Sequence, residues 1–187
     1  LAFPVCQPCT QGQIDSDLFG ALWPSIPEIP GDPVRRWSMV MPLQMLKNAG
    51  MLNRGARGLL LDAPHAALCE SLHGEGCVVQ VNQRTTLQDN RHYDFVIAYG
   101  IAGDLQDNGA GSSALEELIK HVLPGGLVIT MVPFDGEKIA VRNRLQQIAL
   151  RLIGQGHEMA QICFPIGVEI VPSGHAHAGV LAILAKR

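Results

Sequence analysis

A three-layer α/β sandwich with a mostly parallel sheet is predicted by three features of this sequence. Short apolar runs alternate with helical stretches, as where Gly58-Leu59-Leu60-Leu61 precedes the helix pattern from His65 to His73. Several runs, Leu127 to Val132 above all, have core character, the last broken by Thr130 alone. Such strands need cover on both faces, which suits a parallel sheet between helices. The last two strand-like segments, near residues 158–164 and 180–185, have no helix between them, which predicts an antiparallel pair at one edge.

Residues 1–33 read as a Pro-rich arm appended to a domain of residues 34–187. Prolines at 4, 8, 24, 27, 30 and 33 forbid long helices and favour an extended or turn-rich path. Leu18, Phe19, Leu22, Trp23, Ile26 and Ile29 give the arm apolar surface. It is expected to lie as a strap over the domain; a lid or partner-binding segment is the sharper alternative.

From Val34 a helix runs to about Ala49, started or interrupted by Pro42 and stopped by Gly50. Gly58 to Asp62 forms a buried strand ending in an acid. His65 to His73 is a short helix stopped by Gly74 and Gly76. Cys77 to Asn82 is the second strand, and Tyr93 to Tyr99 the next. Ser113 with Glu116 three residues on makes a capping box for a helix to about Val122. Pro124-Gly125-Gly126 then turns the chain into the strand Leu127 to Val132. Lys138 to Ile153 is a long amphipathic helix ended by Gly154 and Gly156.

The chain has 187 residues, 47% of them hydrophobic and 17% charged, with a formal net charge of -3. That size buries a sufficient core without staples. The charged fraction is below the roughly 25% usual for soluble domains, which hints at a surface covered by a partner or by another part of a parent chain. Arg35-Arg36 is the densest basic spot, so a broad phosphate-binding face and a nucleic-acid motif are not evident. Five scattered cysteines and apolar runs of strand length point to reduced thiols in a cytoplasmic protein with no membrane span.

The segment Leu118-Ile119-Lys120-His121-Val122-Leu123-Pro124-Gly125-Gly126-Leu127 resembles class I S-adenosylmethionine-dependent methyltransferases, in which a helix, an LxPGG turn and the fifth strand follow one another. Tyr93-Asp94-Phe95-Val96-Ile97-Ala98-Tyr99-Gly100 is similar to the fourth strand of that family, and the terminal strand pair to its sixth and seventh. The resemblance covers residues 56–187 and implies a Rossmann-like sheet, S-adenosylmethionine as cofactor, and methyl transfer to a small molecule or macromolecule. It implies that Asp62, Ala63 and His65 meet the methionine side of the cofactor and Asn82 its ribose, with Tyr99 and Gly100 flanking the methyl group. No catalytic residue is assigned.

Two positions depart from the family pattern. After Asp62 the family has a glycine-rich loop; this chain has Ala63-Pro64-His65-Ala66-Ala67, whose Cβ atoms crowd the cofactor and whose proline removes an N–H donor. At the end of the second strand the family has an acid; here Asn82 and Gln83 offer an amide without charge assistance. The competing expectation is therefore a catalytically inactive methyltransferase-like domain, a pseudoenzyme acting as scaffold or partner-binding module. A nucleotide binder ranks last, because no GxxxxGK[ST] loop is present.

Other chemistry is weaker. Cys6-x-x-Cys9 has metal-ligand spacing but no second pair, so it reads as two free thiols, and no metal site is assigned. His175 and His177 read as loop histidines before the last strand. Asp104 and Asp107 follow the Tyr99 strand in a segment that the resemblance sets on the substrate side, the alternative being a polar surface loop from Gly100 to Gly111. Arg142, Arg144 and Arg151 read as a solvated helix side.

Overall fold

In the computed structural model, the structure describes residues 5–22, 33–63, 66–83, 92–99, 110–132, 146–147, 149–159, 161–162 and 179–184. The elements are β1 (Val5–Pro8), α1 (Gln11–Ile14), α2 (Asp17–Leu22), α3 (Pro33–Asn48), β2 (Arg57–Leu61), α4 (Ala66–Gly74), β3 (Val78–Asn82), β4 (Tyr93–Ala98), α5 (Ala110–Lys120) and β5 (Val122–Val132). They continue through helix α6, described at 146–147 and 149–154, to β6 (Glu158–Met159), β7 (Gln161–Ile162) and β8 (Gly179–Leu184).

The sheet order is β3-β2-β4-β5-β8-β1-β7, with β6 also on β8. Strands β3, β2, β4 and β5 are parallel neighbours, and β8 runs antiparallel to β5. The chain moves from β2 through α4 to one side of the sheet and from β4 through α5 to the other. Right-handed crossovers put such helices on opposite faces.

Side-chain alternation then divides the core. Leu60, Phe95, Ile97, Leu127, Ile129 and Met131 pack with α3 and α4. Their neighbours Leu59, Leu61, Val96, Ala98 and Val128 are equally buried and fill the opposite face. This is the Rossmann-like layering the sequence predicts.

Helix α3 is buried along most of its circumference, from Val34 and Trp37 to Met45 and Leu46, because the N-terminal segment covers its outer side. Thr10 caps α1 in a capping box with Gln13, and the same Gln13 Oε1 accepts from Trp37 Nε1 at 3.0 Å. Pro42 lies inside α3 and has no N–H, so the Ser38 carbonyl lacks its donor four residues on. The Tyr99 hydroxyl supplies the missing bond, donating to that carbonyl at 2.9 Å.

Some details differ from the sequence reading. The arm contributes a strand: β1 pairs antiparallel with β8 and parallel with β7. The expected terminal pair is therefore reduced to Glu158–Met159 on β8, with β1 wedged in beyond it. Helix α5 starts at Ala110, so Ser113 lies in its first turn instead of at its cap. A capping-box pattern marks one permitted start, and nothing in Ala110-Gly111-Ser112 forbids an earlier one.

The Pro-Gly-Gly turn sits inside β5 as an irregularity. Pairing passes from Tyr93↔Val122 to Phe95↔Leu127, so β4 advances two residues while β5 advances five. Gly125 takes φ 82°, and a Cβ on Gly126 would lie 2.6 Å from the Asp94 carbonyl oxygen, so each glycine is required for its own reason.

Candidate functional site

In open α/β sheets, ligands bind beyond the carboxyl ends of the parallel strands. Here β2, β3 and β4 end in register: Leu61 pairs with Asn82 on one side and with Ala98 on the other. The ladder continues past the strands, since Asp62 N–H donates to the Asn82 carbonyl at 3.1 Å and Tyr99 N–H to the Leu61 carbonyl at 3.0 Å. Three of the expected site positions thus come together at one edge through backbone pairing alone.

Their side chains differ in what they present. Asp62 is exposed and takes φ 50°, the single positive value among the described non-glycine residues. A left-handed residue is uncommon outside glycine, although Asp and Asn adopt it most readily. It reverses the chain direction at the point where β2 gives way to the loop before α4. Ala63 is half-buried against the core on the α3 and α4 side. Asn82 is half-buried at the end of β3, and its Oδ1 accepts from Gln80 Nε2 at 3.2 Å, which leaves the amide N–H groups to donate outward.

Tyr99 is placed otherwise than its expected role suggests. It is 1% exposed, and its hydroxyl is committed to Ser38. Burial pushes the phenol far above its ordinary range, so it stays protonated and donates at any working pH. The side chain ties β4 to α3 and presents no group to solvent. Sequence reading missed this, although Pro42 in a helix was the available signal that a carbonyl would need an outside donor. His65, Gly100, Asp104, Asp107, Arg142, Arg144, His175 and His177 lie outside the described residues.

Other features stand away from this edge. A cavity of about 380 Å³ opens at the amino ends of the strands, lined by Asn53, Arg54, Asp94 and the Pro124–Gly126 turn. Asp94 there accepts from the Arg57 N–H at 2.7 Å and so serves the sheet. Cys9 is fully buried. Arg151 is solvated, as expected, and pairs with Glu116 at 2.9 Å between α6 and α5. Among the described residues no helix is long and apolar enough to cross a membrane.

The sequence matches no protein-family model and no curated protein. Solved structures do match in fold. The N-methyltransferase NodS from Bradyrhizobium japonicum WM9 superposes with a TM-score of 0.53 at 11% identity, over 85% of this chain and 100% of that one. A Haemonchus contortus phosphoethanolamine-type N-methyltransferase 2, solved with phosphomonomethylethanolamine and S-adenosylhomocysteine, superposes with a TM-score of 0.55 at 10% identity, over 82% of this chain and 37% of that one. At such identities the likeness carries the fold, and with the topology above it gives the conclusion: this chain has a class I methyltransferase-like α/β fold.

Proposed function

We propose that this protein is a divergent S-adenosylmethionine-dependent methyltransferase acting in the cytoplasm on an acceptor yet to be identified. The observation that carries the reading is the pairing of Asp62, turned at φ 50°, with Asn82 at the adjoining carboxyl ends of β2 and β3. Backbone held in a sparsely populated region at a ligand-binding edge supports a functional constraint there.

The residues present fit the cofactor at these two positions. Asn82, with its carbonyl oxygen engaged by Gln80, has N–H donors that would serve the hydroxyl oxygens of a ribose. The exposed carboxylate of Asp62 would serve the methionine ammonium. The cofactor supplies a methyl group on a sulfonium that is its own leaving group. The chain therefore has to bind and orient, and proximity accounts for much of the rate.

A second reading, the same fold kept as a scaffold, is supported by the sealing of Tyr99 against Ser38, which leaves that strand end without the expected polar group.

The substitution Asn82→Asp tests the ribose assignment. A carboxylate accepts charge-assisted bonds about twice as strong as those of an amide. Asp62 stands on the neighbouring strand and opposes a second negative charge, so the expected gain in S-adenosylhomocysteine affinity is about threefold to tenfold. Asn82→Ala should weaken binding in calorimetric titration. Equal affinity in wild type and both variants would place the ribose elsewhere.

A further inference from the structure

The edge of β8 is claimed twice by the register. Strand β6 pairs antiparallel with it as Glu158↔Leu184 and Met159↔Ile183. Carried on one for one, this register sets Gln161 opposite Leu181 and Ile162 opposite Val180. The N-terminal strand instead holds that place, with Gln7↔Val180 and Pro8↔Gly179. Gln161 and Ile162 are moved out by one strand position and pair in parallel with Val5 and Cys6. Because β1 is antiparallel to β8 and parallel to β7, the stretch 158–162 already runs in the direction that direct pairing with β8 needs.

We propose that this half of the β8 edge is a shared seat, held either by β1 or by Gln161–Ile162, and that exchange between them releases the N-terminal segment from the sheet. The seat is shallow for β1. Among the described residues it rests on two residue pairs to each neighbour, and Pro8 has no N–H to give to a ladder. When β1 leaves, Gln161–Ile162 moves by one strand spacing, roughly 4.8 Å. The backbone groups of Val180 and Leu181 then have a partner again, so β8 is not left bare at those positions.

The position gives the exchange a consequence. Val180 and Gly179 pair with Met131 and Val132 at the carboxyl end of β5, the same end of the sheet that carries Asp62 and Asn82. Residues 9–22 follow directly from β1, and α1 and α2 within them pack on α3. The device is a strap over that end of the domain whose unlatched state has its own strand pairing.

Amide hydrogen exchange on the full chain tests it, comparing wild type with Gln7→Pro, which removes an N–H from a strand paired on both sides. The expected result is exchange faster by about tenfold or more in residues 5–9, with Val180 and Leu181 holding their protection. Loss of protection, in step with residues 5–9, at whichever of Val180 and Leu181 turns its N–H toward β1 would overturn the proposal, since the other faces β5 in either state. If Gln7→Pro fails to fold, the full chain carrying Ile162→Cys with Val180→Cys decides, in a Cys6→Ser background that removes the thiol facing position 162. Directly opposed antiparallel partners lie within disulfide reach. A 162–180 linked peptide after mild oxidation supports the exchange, and its absence overturns it.

Discussion

Replacing Trp37 with alanine is expected to lower the unfolding free energy by about 3–5 kcal/mol, the range for truncating a buried aromatic. Trp37 is fully buried in the core cluster that also holds Val34, Val40 and Leu68. Its indole N–H also holds Gln13, so the change loosens the N-terminal segment together with the core. In denaturant titration the midpoint should fall with little change in slope, and exchange at residues 10–16 should quicken. A loss below about 1 kcal/mol would contradict the packing described, since surface substitutions lie in that range.

The second large effect concerns Tyr99. Tyr99→Phe keeps the ring and removes the donor, leaving the Ser38 carbonyl without a partner inside the protein. Stranding a buried acceptor costs about 1–3 kcal/mol. The cause can be isolated, because the carbonyl is orphaned by Pro42. Pro42→Ala restores a backbone N–H four residues on, so Tyr99→Phe should cost less than about 1 kcal/mol in that background. Equal costs in both backgrounds would show that the hydroxyl is not answering the proline. Methyl transfer, if Tyr99 is only a tie between β4 and α3, should survive Tyr99→Phe at temperatures where the variant is folded.

These two residues also show which parts of the fold could be read from the chain. Leu59–Leu61, Phe95–Ala98 and Leu127–Ile129 are apolar at every position, and that alone forces strands covered on both faces. The turn glycines were legible as punctuation, but their setting was not. Whether Pro124-Gly125-Gly126 lies before a strand or within one depends on pairing with Tyr93 and Phe95, about thirty residues away in sequence. Strand β1 was hidden for the same reason. Four residues bracketed by prolines carry no period, and only β8 and β7 make them a strand.

The candidate site divides in the same way. Asp62 and Asn82 were legible because each closes an apolar strand, and strand ends meet at the carboxyl edge of a parallel sheet. That Tyr99 turns inward was not, since its direction is decided by a vacant carbonyl on a helix 61 residues earlier. Glu158–Met159 pair antiparallel with β8, but the rest of that edge is taken by a strand from the opposite end of the chain, which the local pattern of residues 158–185 does not show.

The central claim is that the edge formed by Asp62 and Asn82 holds S-adenosylmethionine. Calorimetric titration of the wild-type chain with S-adenosylmethionine and then S-adenosylhomocysteine tests it most directly. One-to-one binding in the micromolar range, about −8 kcal/mol, is expected for both ligands. No heat and no thermal shift at millimolar ligand would contradict it, and would leave the fold serving as a scaffold without the cofactor.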